Sequence, residues 1–301
     1  MRYFITGASG WIGSAVSREL IAAGHRVSGL ARSDASAEAM ASFGADVVRG
    51  SLTDPDVLRD AASAADGVVH LAFTHDFNDF ETASAINQAA VEAIASALEG
   101  SGKTLAIASG VAGLVQGRPA TENDAGERPV LRQATERYVL ALAGRGIRPL
   151  SLRFAPTVHG TGGDHGFIKT IAQIARQHGV SGYIGDGSAR WAAVHRDDAA
   201  HLARLALESS EPGGVVHAVG EEGVPTKVIA EAVGARLGVP TASIAAEDAV
   251  EHFDWIGRFF GQDFSATSDI TRARYGWEPT HPTLLEDIAA GGYDVPRADA
   301  A

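Results

Sequence analysis

Cysteine is absent from all 301 residues, which excludes a disulfide, a thiolate nucleophile and a cysteine-ligated zinc site and leaves the redox compartment open. Positive charge is also scarce, with 25 Lys and Arg against 37 Asp and Glu and a formal net charge of −12. A surface of that sign repels phosphate backbones and anionic lipid, so neither nucleic acid nor a membrane is an expected partner. No apolar run approaches the ~20 residues of a membrane span. The opening residues Met1 to Ile5 pass straight into a glycine motif, with no room for a secretory leader, and the chain reads as cytoplasmic. What is present is ordinary for a globular protein: 45% hydrophobic and 21% charged residues, in a chain long enough for one large α/β unit with an appendage. The 35 glycines are many. They mark tight turns and close backbone approaches, or simply an Ala/Gly-rich genome.

Short β-type runs recur at 2–5, 26–30, 46–49, 67–71, 104–108 and 150–154, separated by helical stretches at 11–23, 35–43, 55–62, 83–98 and 130–143. Ser33-Asp34 and Thr53-Asp54-Pro55 supply caps. This alternation predicts right-handed βαβ crossovers and a parallel, doubly wound sheet. After about residue 155 the rhythm breaks into a glycine-rich segment at 159–166, a helix at 167–178 and a short stretch at 183–195. A helix at 197–207 and a buried strand at 215–218 return to the main sheet, and helices at 226–237, 246–253 and 283–289 complete a smaller lobe. The predicted division is 1–158 with 196–220 for the main domain, 159–195 with 221–293 for a substrate lobe interleaved in sequence, and 294–301 for a flexible tail. No internal repeat is visible.

Thr6-Gly7-Ala8-Ser9-Gly10-Trp11-Ile12-Gly13 lies between the first strand and the first helix. Glycines at that spacing allow a tight turn, let backbone amides touch a pyrophosphate at the positive end of the helix, and let helix and strand pack closely. In a glycine-rich chain such spacing also arises by accident, but strand, loop and helix agree here with a Rossmann dinucleotide site.

Further blocks appear in order: Arg49-Gly50-Ser51-Leu52-Thr53-Asp54, Val69-His70-Leu71-Ala72, Arg153 to Gly160 (RFAPTVHG) and Val194-His195-Arg196-Asp197-Asp198-Ala199. With the glycine loop, they make nearly the whole chain resemble the short-chain dehydrogenase/reductase superfamily, in its extended or atypical branch that includes nucleotide-sugar epimerases. The resemblance implies that the cofactor meets Gly7, Ser9, Gly10, Trp11, Ile12 and Gly13. It also implies that Ser51 and Leu52 flank the adenine, although relatives usually carry Asp where Ser51 stands. Leu71, Ala72 and Phe73 pass under a ribose, and Pro156 to Val158 approach the nicotinamide. An NAD site places an acid at the end of the second strand to accept from the ribose 2′-hydroxyl. Here Ala31, Arg32 and Ser33 follow instead, a guanidinium and a hydroxyl suited to a 2′-phosphate. NADP(H) is therefore the expected cofactor and NAD(H) the alternative, Arg32 then being a solvated charge.

Carbonyl-reducing members use Ser, Tyr and Lys, the last two separated by three residues on one helix; the tyrosine delivers the proton and the lysine lowers its pKa and binds ribose. Counting back from Glu136, which matches a common glutamate on that helix, places Arg128 at the Tyr position and Arg132 at the Lys position. The usual acid is missing, and Tyr138 points elsewhere. Ser109, after the fifth strand, is the best serine, with a turn-forming hydroxyl as the alternative. Arg132 replaces lysine on the ribose hydroxyls or is an outward-facing helical arginine. His159 or His165 is left to supply the proton. Substrate is expected against His159, His165, Tyr183, Arg190 and His195, with Asp164 nearby. Arg190 matches an arginine that grips phosphate in sugar-nucleotide relatives, or else forms a surface salt bridge. His159, Asp164 and His165 match no standard ligand spacing, so no metal is expected. Trp191, Phe253, Trp255, Phe259 and Phe260 wall an apolar pocket or pack the core. The leading reading is an NADP(H)-dependent oxidoreductase acting on a carbonyl, hydroxyl or imine carbon of a small molecule, as a monomer or homodimer. The alternatives are a nucleotide-sugar epimerase or dehydratase and a non-enzymatic NADP-sensing regulator.

Overall fold

Short apolar runs flanked by amphipathic helices can bury both their faces only between two helix layers. In the computed structural model, which describes residues 1–73, 80–126, 131–162 and 164–295, they do so. The strands are β1 (Arg2–Thr6), β2 (Arg26–Ala31), β3 (Asp46–Arg49), β4 (Gly67–His70), β5 (Thr104–Gly110) and β6 (Arg148–Phe154), alternating with α1 (Trp11–Ala22), α2 (Asp34–Ala41), α3 (Pro55–Ala64), α4 (Phe80–Leu98) and α5 (Leu131–Ala141). The side chains of Phe80, Leu131 and Arg132 lie outside the described set. The chain continues through β7 (Thr157–His159), α6 (Phe167–His178), β8 (Ser181–Ile184), β9 (Arg190–His195), α7 (Arg196–Glu208), β10 (Gly214–Ala218), β11 (Glu221–Pro225), α8 (Thr226–Leu237) and β12 (Thr241–Ile244). Short helices α9 (Ala249–Phe253), α10 (Gly257–Phe260), α11 (Asp269–Tyr275) and α12 (Leu284–Ala289) follow.

Seven parallel strands form a doubly wound Rossmann sheet in the order β10-β6-β5-β4-β1-β2-β3. The winding reverses between β1 and β4, and in open α/β sheets ligands bind beyond the strand ends at that crevice. Apolar clusters cover both faces of the sheet, one built on Ile5, Leu20 and Leu152, the other on Phe4, Leu58 and Ile94. The run at 215–218 lies on the sheet edge as part of β10, paired with β6.

A three-stranded sheet, β11-β9-β7, and a parallel pair, β12-β8, carry the rest. Their core holds Trp191, Phe253 and Phe260 fully buried, with Trp255 packed partly against it, whereas Phe259 is exposed. Three of the five aromatics named as pocket walls therefore serve packing. The predicted helix at 246–253 breaks into a tight turn and the five-residue α9, ending at Asp254, a non-glycine residue with φ of 55°. Asp294, where a loose tail was expected to start, is ion-paired with Arg236. Among the described residues no helix is long and apolar enough to cross a membrane.

A buried ion pair ties α5 to β6. Arg153 donates from Nε and Nη2 to Glu136 at 2.8 and 2.9 Å, and from Nη1 to the Asp124 carbonyl at 2.7 Å. The Ser151 hydroxyl also donates to Glu136. The pair is almost wholly enclosed, so removing one partner strands the other charge in a low-dielectric interior. Arg153→Met alone is expected to lower unfolding free energy by about 3–5 kcal/mol, and pairing it with Glu136→Leu to recover most of that loss, as read from urea midpoints.

Candidate active site

The loop between β1 and α1 is built around contacts that no side chain could share. Gly7 has φ of +74°, and a Cβ there would lie 2.8 Å from the Ala72 amide nitrogen. A Cβ on Gly13 would lie 2.0 Å from the Gly7 carbonyl oxygen. The Gly10 amide donates to that same carbonyl at 2.9 Å and closes the turn. No side chain caps α1, whose N-cap is Gly10, so its first amides and its positive end face the crevice without a protein acceptor. Ser9 is exposed at the loop tip and Ile12 packs inward on the sheet core. This cradle fits a pyrophosphate. Trp11 leaves it sideways: its indole N–H donates to the Val158 carbonyl at 2.8 Å, and the Arg196 guanidinium lies 4.1 Å above the ring.

At the far end of β2, Arg32 is exposed. The Ser33 hydroxyl accepts from the Ser36 amide at 3.2 Å as the cap of α2. Ala31 stands in register with Arg49 on β3, which brings a second guanidinium to the same strand ends. Arg49 contacts Asp34 at 2.6 Å, both groups largely in solvent, where such a pair is weak. Sequence reasoning missed Arg49 because only the strand register makes it a neighbour of Arg32. Ser51 is engaged in its own turn, its amide and hydroxyl donating to Asp54 at 2.7 and 2.9 Å, while Leu52 packs on the core. Leu71 is half-buried after β4, and the Ala72 amide donates to the Thr6 hydroxyl at 3.3 Å. Phe73 closes the described stretch.

Ser109 sits near the end of β5, in register with Arg153 and nearly buried. Pro156 and Val158 are half-buried on the way into and along β7. Arg128 lies outside the described residues, as does the side chain of Arg132, whose backbone belongs to the first turn of α5. Glu136 stands one turn later and, through Arg153, fixes the rotation of that helix.

In the small lobe, the polar residues fall into separate groups. His159 is 1% exposed; its Nδ1 lies 2.7 Å from Asp287 and its Nε2 lies 3.6 Å from Glu221. It therefore pins β7 to α12 and β11. His195 shares this knot, edge-on to His159 and 3.8 Å from Asp287. Its Nδ1 accepts from the Asp197 amide at 3.2 Å and caps α7, and its ring lies flat on His281 at 4.7 Å. His281 in turn meets Asp198 at 2.7 Å. Ligand atoms of His195, Asp197 and His281 lie within 4.8 Å of one another, but the capping bond places the proton of neutral His195 on Nε2 and leaves it a poor ligand. Burial pushes the His195 pKa down, against the pull of Asp287 and Asp197. Asp164 accepts from Tyr293 Oη at 2.7 Å and from the Gly166 amide at 2.6 Å, and burial raises its pKa. His165, next to it, is exposed. Tyr183 and Arg190 have partners of their own: the Lys227 ammonium lies 5.7 Å over the Tyr183 ring, and Arg190 meets Asp263, Ser265 and Glu222. Asp287, His281 and Tyr293 were not legible as site residues, because their partners are more than 80 positions away in the chain.

Residues 3–220 match the sequence profile of the NAD dependent epimerase/dehydratase family. An uncharacterized protein of Schizosaccharomyces pombe is 42% identical over 97% of this chain and 100% of its own. A 2-alkyl-3-oxoalkanoate reductase of Stenotrophomonas maltophilia is 26% identical over 80% of this chain and 77% of its own. Among solved structures, the UDP-glucose 4-epimerase of Thermus thermophilus in complex with NAD superposes with a TM-score of 0.72 at 22% identity, covering 96% of this chain and 97% of that one.

Gly13→Ala is expected to weaken dinucleotide binding by about 100-fold, measured by calorimetry, because the loop must move off its own carbonyl. A loss below about threefold would show that the phosphates are held elsewhere. A pH effect on stability follows from buried histidines. Burial lowers the pKa of His195 and of His217, so below the ordinary histidine value of about 6.5 the unfolded chain takes up protons that the folded one resists. Their contribution is full above that value and is lost as pH falls through it. His217→Asn should accordingly flatten the fall in Tm between about pH 7.5 and 5.5 relative to the parent, as followed by scanning calorimetry.

Proposed function

Because the chain belongs to the NAD-dependent epimerase/dehydratase family, we propose that it is an NADP(H)-dependent oxidoreductase that moves hydride between the nicotinamide and a carbonyl, hydroxyl or imine carbon of a small molecule. The observation that carries the proposal is the pairing of two features at the carboxyl ends of the parallel strands: the uncapped glycine cradle beside β4, and Arg32 with Arg49 where an NAD site would hold an acid. The dinucleotide, when bound, supplies the hydride chemistry. The chain's own residues position and exclude. The amides of residues 7 to 13 and the positive end of α1 hold the pyrophosphate, and Arg32 and Arg49 face the 2′-phosphate. Leu71, Ala72 and Phe73 support the ribose, and Pro156 to Val158 lie at the nicotinamide end.

Ser109 orients the substrate oxygen; the side chain of Arg132, expected on the ribose hydroxyls, lies outside the described residues. Of the two candidate proton donors, His165 is exposed at the glycine-rich segment, whereas His159 is enclosed by Asp287 and Glu221. His165 takes the donor role and His159 positions β7. The reductase relative of Stenotrophomonas maltophilia supports net reduction over reversible epimerisation.

Incubation with NADPH and a panel of aldehydes, ketones, imines and UDP-sugars is expected to consume NADPH with a carbonyl or imine compound; sugar interconversion without net consumption would favour an epimerase. Arg32→Glu should weaken NADPH binding by about tenfold or more while changing NADH affinity by less than about threefold. NADH binding tighter than NADPH in the parent protein would reject the cofactor assignment.

A further inference from the structure

We infer that Asp263 and Glu222 are specificity-determining residues that hold Arg190 away from phosphate, so that the small lobe refuses nucleoside diphosphates and takes a substrate without a phosphate group. The inference rests on the oxidoreductase reading of this lobe. A guanidinium grips phosphate by presenting two parallel N–H donors as a free fork. Arg190 has two of its three nitrogens hydrogen-bonded within the chain, and the third faces a carboxylate. Its Nε lies 3.3 Å from Asp263 Oδ2, its Nη2 lies 3.2 Å from the Ser265 hydroxyl, and its Nη1 lies 3.8 Å from Glu222 Oε1. All three nitrogens face partners in the chain itself.

The partners are held as firmly as the guanidinium. Asp263 Oδ1 accepts from both the amide and the hydroxyl of Ser265, at 2.9 and 2.6 Å. The Phe264 amide donates to the Arg190 carbonyl at 2.7 Å, and the Ala266 amide to the Glu222 carbonyl at 2.9 Å. Strand pairing brings Pro225 opposite Arg190, with a bulge in β11 between Glu221 and Val224 that contains Glu222. Arg190 thus lies between Asp263, whose carboxylate is fixed by Ser265, and Glu222, whose backbone is fixed by Ala266. Hydrogen bonds from Ser265 and Arg190 outweigh burial and keep the Asp263 pKa low, so it stays ionised.

Charge completes the argument. One cation against two carboxylates leaves the cluster negative before any ligand arrives, and a diphosphate would add like charge. The arginine side chain is 37% exposed, so each ion pair is individually weak; the exclusion comes from direction and from the sign of the cluster rather than from pair strength. Lys227, the other cation nearby, lies over Tyr183, and Asp186 is turned in on Ser188. An uncharged carbonyl compound faces no such repulsion.

UDP is the probe, titrated by calorimetry into protein saturated with NADPH so that it cannot occupy the dinucleotide site. The parent protein is expected to show no binding up to about 1 mM, and the Asp263→Asn/Glu222→Gln variant to bind UDP at least about tenfold more tightly than the parent limit. UDP binding by the parent with a Kd below about 100 µM would overturn the inference, as would a variant that keeps its NADPH affinity and gains nothing for UDP. Glu222→Gln alone, at a half-exposed site, provides a smaller gain in the same direction if the double variant does not fold. The parent titration needs no variant, and NADPH binding is scored separately, so a failure of the cofactor assignment is distinguishable from a failure here.

Discussion

The close seating of α1 on its own preceding loop is the constraint from which the rest of the site follows. Gly13 leaves no space for a Cβ against the Gly7 carbonyl, and Gly7 leaves none against the backbone after β4. These two contacts bring the helix end, the turn and the neighbouring strand end into one crevice. The lack of a side-chain cap on α1 is then an asset, since the amides that would bond a serine or aspartate are left for an anion. Sheet order puts the crevice at the reversal between β1 and β4, and register puts Arg49 beside the end of β2. Cofactor geometry is thus a property of backbone packing, which tolerates wide change in the surrounding side chains.

The Rossmann half was legible because its signals are local. Gly7, Gly10 and Gly13 lie within one turn and the helix start that follows it, the central strands carry short apolar runs, and α1 to α5 follow within two or three residues of the predicted spans. The small lobe was less legible because its elements are short and its partners distant. The four-residue β12 and the seven-residue α11 carry too few residues to show a period. His159 was read as one of two candidate proton donors from its type and its place in a segment that lines substrate in relatives; only the fold shows that Asp287, 128 residues away, encloses it. Arg190 was read from a matching position, but its neighbours Asp263 and Ser265 come from a segment with no recognisable motif.

Two buried polar assemblies among the described residues have different work. Glu136 and Arg153 are buried and mutually satisfied, and they fix the rotation of α5 against β6. The histidine and carboxylate knot of His159, His195, His281, Asp198 and Asp287 joins β7, β9, α7 and α12 through directed bonds. Buried polar groups of this kind specify one arrangement more than they add stability.

Trp11 belongs to the phosphate loop by sequence, yet its indole is bonded to the Val158 carbonyl and covered by Arg196. The tryptophan therefore fastens the phosphate loop to β7 and to the first residue of α7, so the turn that would meet a dinucleotide is anchored to the strand that runs toward His159.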